Sequence, residues 1–247
     1  MRISRFYLPS THQDYQVGAS LELTKEQSHY ALTVLRLKNN RIIEVFDGKG
    51  NLAQAKLNAT NRRSASVLIE KISAPITESP LNTILCQAIS KGDRMDYTIQ
   101  KCVELGITSI QPLLTENCDI RLDENKLAKK QQQWQQIAIS ACEQSNRNTV
   151  PTIHPYLNYT DWLAKQKNRV GFVLNPAAKQ SLKQVNPSLK NSPLHLLIGS
   201  EGGLTDKEIE QAIKHGLTDI QLGKRILRTE TAGVAILSAL QILWGDF

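Results

Sequence analysis

The strongest constraint on the fold comes from the last fifth of the chain, Leu194–Trp244. It opens with the apolar run Leu194–Ile198, which leads directly into the glycine-rich segment Gly199–Gly203. A short apolar run that ends on glycines is typical of a buried strand followed by a tight loop. Thr205–Glu208 then has the spacing of a capping box, so we expect a helix to begin there and to end before Gly216.

A second strand and loop of the same kind follow. Asp219–Leu222 predicts a strand that ends on Gly223, and the pattern is helical and apolar from Thr229 to Trp244. In an open α/β sheet, the loops after parallel strands share the edge at the carboxyl ends of those strands, which is where ligands bind. The two glycine loops are therefore the first candidate site.

Strands and helices also alternate upstream, from Leu81 onward. The expected strands are Thr83–Ile89, Ile107–Leu114 and Gly171–Leu174, and the expected helices are Met95–Leu105 and Leu127–Gln144. In the longer helix, apolar residues recur at the i, i+3, i+4, i+7 spacing. This alternation predicts an α/β fold with a parallel sheet and right-handed crossovers.

Residues 1–74 have a different pattern, with several short strands and one helix. The helix is expected at Lys25–Leu35, after a capping box at Thr24–Gln27, and Asp47–Asn51 is a strong turn signal. This pattern predicts a small β-barrel, a shape often used to hold nucleic acid. Ala74–Pro80 contains two prolines and is the best linker candidate. We expect an RNA-binding barrel at 1–74, a linker at 75–80 and a second domain at 81–247.

Positive charge is concentrated in the N-terminal region. Residues 1–74 hold 11 Lys and Arg against 6 Asp and Glu, whereas residues 75–247 hold 19 against 17. This asymmetry predicts a polyanionic partner, most simply nucleic acid, although ordinary basic surface would give the same count. The candidate RNA contacts are Arg2, Arg5, His29, Arg36, Lys91, Arg94 and Arg147. For each of them the alternative is a structural or solvated side chain.

The four cysteines, Cys86, Cys102, Cys118 and Cys142, lie far apart and form no C-x-x-C pair. Their spacing argues against a structural zinc site and a disulfide framework, and it fits a reducing cytoplasm. No apolar run approaches the length of a membrane span, and the first residues contain no apolar signal region. We expect a cytoplasmic protein without a metal site or a membrane anchor.

A glycine loop after a strand binds a dinucleotide, cradles phosphates, or brings the backbone close to another planar cofactor. The spacing of Gly199, Gly202 and Gly203 does not match the dinucleotide fingerprint, and Leu204 stands where a phosphate-binding loop needs lysine. Glu201 within the loop would also repel phosphate. A neutral or cationic ligand is therefore preferred, and the alternative is that the glycines only make tight turns.

Two segments carry a resemblance to a known family. Leu197–Leu204 and Gly223–Ala232 closely resemble the SPOUT class of S-adenosylmethionine-dependent RNA methyltransferases, and within it the 16S ribosomal RNA uridine N3-methyltransferase family. Further matching segments are His29–Arg36, Ile99–Gly106 and Ala141–Arg147, so the resemblance covers nearly the whole chain. One departure is Ser200, where many members carry proline.

The resemblance implies an α/β fold with a C-terminal trefoil knot, a PUA-like N-terminal barrel and a homodimer. It also implies a cofactor, S-adenosylmethionine, and an RNA partner, 16S rRNA or the small ribosomal subunit. The cofactor pocket is expected from three loops, and its residues are Leu174, Asn175, Ile198, Gly199, Ser200, Glu201, Gly202, Gly203, Leu222, Gly223, Ile226, Leu227, Arg228 and Thr229.

The chemistry of the expected substrate suggests three catalytic residues. N3 of uracil carries a proton at neutral pH, so that proton must leave before methyl transfer. We expect Arg228 to stabilise the developing uracil anion or to bind a neighbouring phosphate. We expect Glu230 or Glu201 to accept the proton or to orient a group that does. The alternatives are that Glu230 only stabilises the helix N-terminus, and that Arg228 pairs with Glu230 structurally.

Two other functions compete with methyl transfer. An RNA-binding or ribosome-assembly module could keep this fold without catalysis, but the two glycine loops and the intact Arg228–Ala232 block disfavour it. A nucleotide-dependent oxidoreductase is disfavoured by the glycine spacing.

Overall fold

The computed structural model describes residues 3–9, 15–61, 63–119, 124–185 and 192–247. The chain divides into two compact units. One comprises Met1–Glu78 and Cys142–Val150, and the other comprises Ser79–Ala141 and Pro151–Phe247. The first break lies inside the expected linker at 75–80. The return of Cys142–Val150 to the first unit was not predicted.

The first unit is built on a five-stranded sheet. Its strands are β1 (Arg5–Tyr7), β2 (Ser20–Glu22), β3 (Ile42–Phe46), β4 (Leu52–Asn61) and β5 (Ser64–Ser73). Their order in the sheet is β1-β3-β4-β5-β2. The β1–β3 pair is parallel and the other pairs are antiparallel.

The long hairpin β4–β5 supplies much of the core of this unit. Ala53, Ala55 and Leu57 alternate with more exposed residues along β4, and all three are fully buried. Val67 and Ile69 of β5 are buried in the same cluster. This period of two puts one face of the hairpin in the core and leaves the other to solvent.

The expected helix after Thr24 begins where the sequence predicts. Thr24 and Gln27 form both hydrogen bonds of the capping box, and α1 spans Lys25–His29. The chain then continues as a one-turn π-helix at Tyr30–Val34, so the helix expected over Lys25–Leu35 changes type partway along. Arg36 follows with a left-handed φ of 51°.

The second unit is built on a seven-stranded sheet in which every pair is parallel. Its strands are β6 (Thr83–Ala88), β7 (Ser109–Leu114), β8 (Thr152–Ile153), β9 (Leu157–Asn158), β10 (Val170–Leu174), β11 (Leu194–Ile198) and β12 (Thr218–Ile220). The order is β12-β10-β11-β6-β7-β8, and β9 also pairs with β7. The predicted α/β fold with a parallel sheet is confirmed.

In the part of the chain that the structure describes, five α-helices lie wholly or mainly in this unit, and the last four residues of α3 belong to the first unit. They are α2 (Arg94–Glu104), α3 (Glu124–Ser145), α4 (Tyr159–Lys165), α5 (Asp206–Lys214) and α6 (Thr229–Trp244). Helix α5 begins after a complete capping box between Thr205 and Glu208, as predicted. The sequence did not predict α4, β8 or β9, because seven residues and two residues are too short to show a periodic pattern.

The sheet order brings three strand ends together. Strands β12, β10 and β11 are neighbours, so their last residues Ile220, Leu174 and Ile198 lie at one edge. The amide of Asn175 donates a hydrogen bond of 3.0 Å to Ile220 O, which ties the first two of these ends to each other. The trefoil knot implied by the resemblance stays a prediction.

Candidate active site

A cavity of about 570 Å³ lies at this edge of the sheet and is called the loop cavity below. Its lining comes from the ends of β10, β11 and β12, from the loops that follow them, and from the first turns of α2, α5 and α6. The residues are Arg94, Leu174, Asn175, Pro176, Ile198, Gly199, Ser200, Glu201, Gly203, Leu204, Asp206, Ile209, Ile220, Leu222, Gly223, Arg225, Ile226, Leu227, Arg228, Thr229, Glu230 and Ala232.

The loop after β11 turns back on itself so closely that it requires glycine. A Cβ atom on Gly199 would lie 2.8 Å from both Gly203 C and Leu204 N. Gly203 adopts a φ of +72°, a conformation that residues with a Cβ rarely adopt, and its amide donates a 2.9 Å hydrogen bond to Ser200 O. The tight loop brings its backbone to the cavity, which Gly199, Ser200, Glu201 and Gly203 line.

Two buried side chains fix the carbonyl of Gly199. The hydroxyl of Thr229, in the first turn of α6, donates a 2.6 Å hydrogen bond to Gly199 O. Gln87, fully buried on β6, donates a 2.8 Å hydrogen bond to that hydroxyl. Gln87 was not predicted as a site residue. Its position inside the apolar run of β6 does indicate a buried amide, and a buried amide needs a hydrogen-bond partner.

Ser200 and Asn117 hold the other side of the loop. Ser200 donates a 2.8 Å hydrogen bond to Asn117 O, and the side-chain amide of Asn117 donates a 3.0 Å hydrogen bond to Gly202 O. Ser200 stands where the resemblance leads us to expect proline, and its hydroxyl restrains the loop through this hydrogen bond. Asn117 is a second residue that the sequence reasoning missed.

Apolar side chains form part of the walls of the loop cavity. Leu174 and Ile198 contribute from the strand ends, and Leu222 and Leu227 contribute from the loop before α6. Ile226 is 84% exposed, so it forms part of the rim rather than of the floor. A flat, weakly polar group would be enclosed between such walls.

Glu201 is held as an anion by its neighbours. Its Oε1 accepts a 2.5 Å hydrogen bond from Arg94 Nη1 and a 2.9 Å hydrogen bond from the amide of Lys91. Partial burial opposes ionisation, but these hydrogen bonds prevail and hold the pKa of the carboxyl below its usual value. A carboxylate with a lowered pKa is a weak base, which argues against Glu201 as the proton acceptor.

Glu230 is placed differently. It lies in the first turn of α6 with only 16% of its side chain exposed. Its Oε1 is 4.0 Å from Arg94 Nε, and its Oε2 is buried without a hydrogen-bond partner among the described residues. This position agrees with stabilisation of the helix N-terminus, and it also leaves one carboxylate oxygen without a hydrogen-bond donor among the described residues.

Arg228 is exposed at the N-cap position of α6. Its side chain forms no hydrogen bond or ion pair with any residue that the structure describes, so the structural pairing with Glu230 considered above is not found. An unpaired guanidinium at the mouth of a cavity is free to bind an anion.

All the predicted cofactor residues except Gly202 line the loop cavity. Gly202 faces Asn117 instead, because a Cβ there would lie 2.9 Å from Asn117 Cβ. The lining residues that no sequence pattern indicated are Pro176, Leu204, Asp206, Ile209, Ile220, Arg225 and Ala232.

The predicted RNA contacts fall into different places. Lys91 and Arg94 lie at a second, wider cavity of about 760 Å³, called the open recess below, whose residues are Lys91, Gly92, Asp93, Arg94, Tyr97, Arg228, Glu230 and Thr231. His29 and Arg36 are exposed on the first unit. Arg2 lies outside the described residues.

Arg5 and Arg147 do not support the predicted RNA contact, since they are only 8% and 5% exposed. Arg5 donates hydrogen bonds to Asn148 Oδ1 at 2.7 Å and to the carbonyl of Arg147 at 3.1 Å, and it pairs with Glu44. Arg147 pairs with Glu78. Both guanidinium groups therefore stabilise the first unit internally, in agreement with the structural alternative.

Neither a metal site nor a membrane span was found in the part of the chain that the structure describes. No group of three or more His, Cys, Asp or Glu residues is arranged to hold a metal ion there. No helix there is long and apolar enough to cross a membrane.

Comparison with known families assigns the class of protein. A family model described as an RNA methyltransferase domain matches residues 77–241, and a second, described as an RNA methyltransferase PUA domain, matches residues 23–70. The parallel sheet with its loop cavity and the N-terminal sheet thus define an RNA methyltransferase.

Individual relatives narrow this class to a family. Ribosomal RNA small subunit methyltransferase E from Buchnera aphidicola (subsp. Schizaphis graminum) is 38% identical over 99% of this chain and 98% of its own, and that from Bacillus subtilis is 30% identical over 99% and 100%. The chain belongs to the ribosomal RNA small subunit methyltransferase E family.

Solved structures agree with this assignment. The Neisseria gonorrhoeae ribosomal RNA small subunit methyltransferase E bound to S-adenosyl methionine has a TM-score of 0.91 and 40% identity, with 100% of both chains covered. A putative methyltransferase from Legionella pneumophila in complex with the same cofactor has a TM-score of 0.93 and 36% identity, again with 100% of both chains covered.

Proposed function

We propose that this protein transfers the methyl group of S-adenosylmethionine to N3 of a uridine in 16S rRNA of the small ribosomal subunit. The observation that carries the proposal is the loop cavity, in which three strand ends present backbone groups and apolar walls at one edge of a parallel sheet. Full-length relatives that carry the name of a small-subunit rRNA methyltransferase support it.

The residues of the loop cavity fit S-adenosylmethionine. Backbone amides and carbonyls of the loops after β11 and β12 would hold the adenine edge, and Leu174, Ile198 and Leu227 would pack against its faces. Asp206, Glu201 and Glu230 would face the cationic part of the molecule, because carboxylates attract a sulfonium and an ammonium group. Gly199 allows this enclosure, since a Cβ there would force the loop apart.

The bound cofactor supplies a methyl group on a positively charged sulfur. Glu230 would accept the N3 proton of the uracil once its carboxylate rotates to bring Oε2, which is buried without a partner among the described residues, toward the base. With that proton on Glu230, N3 would be free to take the methyl group that S-adenosylmethionine would supply, and the cofactor sulfur would keep the electron pair of the carbon–sulfur bond. Because the attack must be in line with the breaking bond, positioning supplies much of the rate.

Arg228 would stabilise the negative charge that develops on the uracil. Its guanidinium is exposed beside Glu230 and is not engaged by any described residue. Electrostatic groups placed in advance where charge develops are among the largest contributions to catalysis. The alternative is that Arg228 binds the phosphate of a neighbouring nucleotide.

Exposed basic side chains outside the loop cavity would hold the RNA. Lys91, His29 and Arg36 would contact rRNA phosphates from exposed positions, so RNA affinity should fall steeply with salt. We also infer that the protein is a homodimer in the cytoplasm and that the knot of its family is present.

The direct test is methyl transfer to 16S rRNA from a strain that lacks this gene, with mass spectrometry of the product. We expect one methylated uridine, with the methyl group on N3. A catalytically silent RNA-binding protein would instead leave the rRNA unmodified, and calorimetry would detect no binding of S-adenosylmethionine.

Two variants separate binding from chemistry. We expect Arg228→Ala and Glu230→Gln each to lower kcat by roughly 100- to 10,000-fold while the Kd of S-adenosylmethionine changes little. Near-normal turnover by either variant would remove that residue from the mechanism. Glu201→Gln is the matched control for Glu230→Gln, and it should mainly weaken cofactor binding because Glu201 supports the loop.

A further inference from the structure

We propose that the open recess receives the acceptor base, and that Tyr97 is the platform on which this base stacks. The inference rests on the proposed function and adds to it a second subsite and a specificity residue. Nothing in the sequence patterns singled out Tyr97 as a site residue, and it does not line the loop cavity.

The open recess and the loop cavity adjoin each other. Arg94, Arg228 and Glu230 line both. A methyl donor held in one cavity and an acceptor held in the other would therefore meet at these three side chains. In-line transfer needs the donor and the acceptor in this adjacent arrangement.

The two cavities differ in chemistry. Both cavities combine apolar and charged side chains, but the open recess is wider and contains an aromatic ring, Tyr97, which the lining of the loop cavity lacks. Lys91 and Arg94 of the recess pair with Asp119 and Glu201, so Arg228 is the cation of this lining that no described residue engages. Proteins recognise unpaired nucleotides with this combination, in which cations contact the backbone and an aromatic ring stacks on the base.

Tyr97 is placed to offer its ring. It lies one turn after Arg94 on the same face of α2, and 49% of the residue is exposed. Its neighbours along the helix, Met95 and Ile99, are buried and anchor α2 in the unit. The platform is therefore rigid, which lowers the entropic cost of ordering a base on it.

Glu230 gives the recess its selectivity for an imide. Its Oε2 is buried without a hydrogen-bond partner among the described residues, so a rotation of the carboxylate toward the recess would let it accept a hydrogen bond from a base edge that carries an N–H group. Uracil presents such a group at N3, whereas N3 of cytosine is an acceptor. A cytidine in the recess would meet an unpaired carboxylate, which is costly in a partly buried site.

The experiment measures kcat/KM for 16S rRNA and, separately, the Kd of S-adenosylmethionine in the full-length protein. Tyr97→Ala should lower kcat/KM by roughly 5- to 150-fold, the range for loss of one stacked base. Tyr97→Phe should restore it to within about twofold, because the ring is kept. The cofactor Kd should stay unchanged in both variants.

Ile213→Ala is the matched control, since Ile213 is 45% exposed on α5 and lines neither cavity. It should leave kcat/KM unchanged. Wild-type kcat/KM in Tyr97→Ala would overturn the inference. Equal losses in Tyr97→Phe and Tyr97→Ala would also overturn it, because the hydroxyl rather than the ring would then be responsible.

A photo-crosslinking measurement distinguishes this inference from the proposed function. Small-subunit rRNA that contains 4-thiouridine is irradiated with the wild-type protein, and the crosslinked peptide is identified by mass spectrometry. A crosslink at Tyr97 supports the base platform, and its absence overturns it. If the wild-type protein transfers no methyl group, the proposed function fails, whereas the crosslink still decides the role of the recess.

Discussion

Replacing Gly199 by alanine tests whether the tight loop after β11 forms the cofactor site. The added Cβ would lie 2.8 Å from Gly203 C and Leu204 N and 2.9 Å from Gly203 Cα, whereas ordinary contacts begin at 3.4 Å. All three neighbours are backbone atoms, so no side chain can rotate away. The loop must open, or the strand end must shift.

The magnitude follows from this overlap. Forcing an extra methyl group into a closely packed site costs about 1–3 kcal/mol. If the loop stays closed, the free energy of unfolding falls by that amount. If the free protein relieves the strain by opening the loop, the same amount appears as a roughly 5- to 150-fold weaker affinity for S-adenosylmethionine. The two losses together should therefore total about 1–3 kcal/mol.

Denaturant unfolding and calorimetry measure the two losses. Gly233→Ala is the matched control, because the nearest atoms to its added Cβ are 3.5 Å away and Gly233 lies inside α6. That substitution should raise the free energy of unfolding by about 0.5–1 kcal/mol and leave cofactor affinity unchanged. Wild-type stability together with wild-type affinity in Gly199→Ala would refute the reasoning.

Two further predictions concern buried polar groups. Thr229→Val removes the hydroxyl that donates to Gly199 O and accepts from Gln87, so it should cost about 1–3 kcal/mol in stability or cofactor affinity. Thr229→Ser should retain most of the stability and of the cofactor affinity, because it keeps the hydroxyl. Equal losses in Thr229→Val and Thr229→Ser would show that the hydroxyl hydrogen bonds are not responsible. For His195, burial and then the nearby Arg169 charge lower the pKa from 6.5 to about 4, so the unfolded chain binds a proton that the folded protein excludes. The contribution of neutral His195 to the free energy of unfolding is therefore fully present above pH 6.5, and it falls by about 3 kcal/mol as the pH approaches 4. Denaturant unfolding curves measured over a pH series compare the wild-type protein with His195→Gln. The free energy of unfolding should depend less on pH in the variant, and identical pH profiles would show that His195 is not responsible.

Several elements could be predicted because their signals are local. The bounds of β11 match the apolar run Leu194–Ile198, and both predicted capping boxes form between residues three apart. The glycine loops and most of the residues that line the loop cavity follow from short motifs in the last fifth of the chain. In each case the interacting groups are neighbours in the sequence, so the pattern alone specifies them.

Other features depend on residues that are distant in the sequence. Gln87 and Thr229, which hold Gly199 O, are 142 positions apart, and Arg5 and Asn148 are 143 positions apart. An exposed arginine and a buried, paired arginine look the same in a sequence, which is why Arg5 was predicted as an RNA contact. Tyr97 likewise became a candidate only when α2 placed it at the open recess.

The sequence by itself determined the alternation that yields a parallel sheet, the start of each capped helix and the glycine loops that a close backbone approach requires. Only the tertiary structure decided that β10, β11 and β12 are neighbours, which charged side chains are buried, and that two cavities meet at Arg94, Arg228 and Glu230. The physical reason is that secondary structure is specified by contacts a few residues apart. A site is specified by contacts between residues far apart in the sequence. The free energy that these contacts gain, and the entropy lost in forming them, arise only when the whole unit folds.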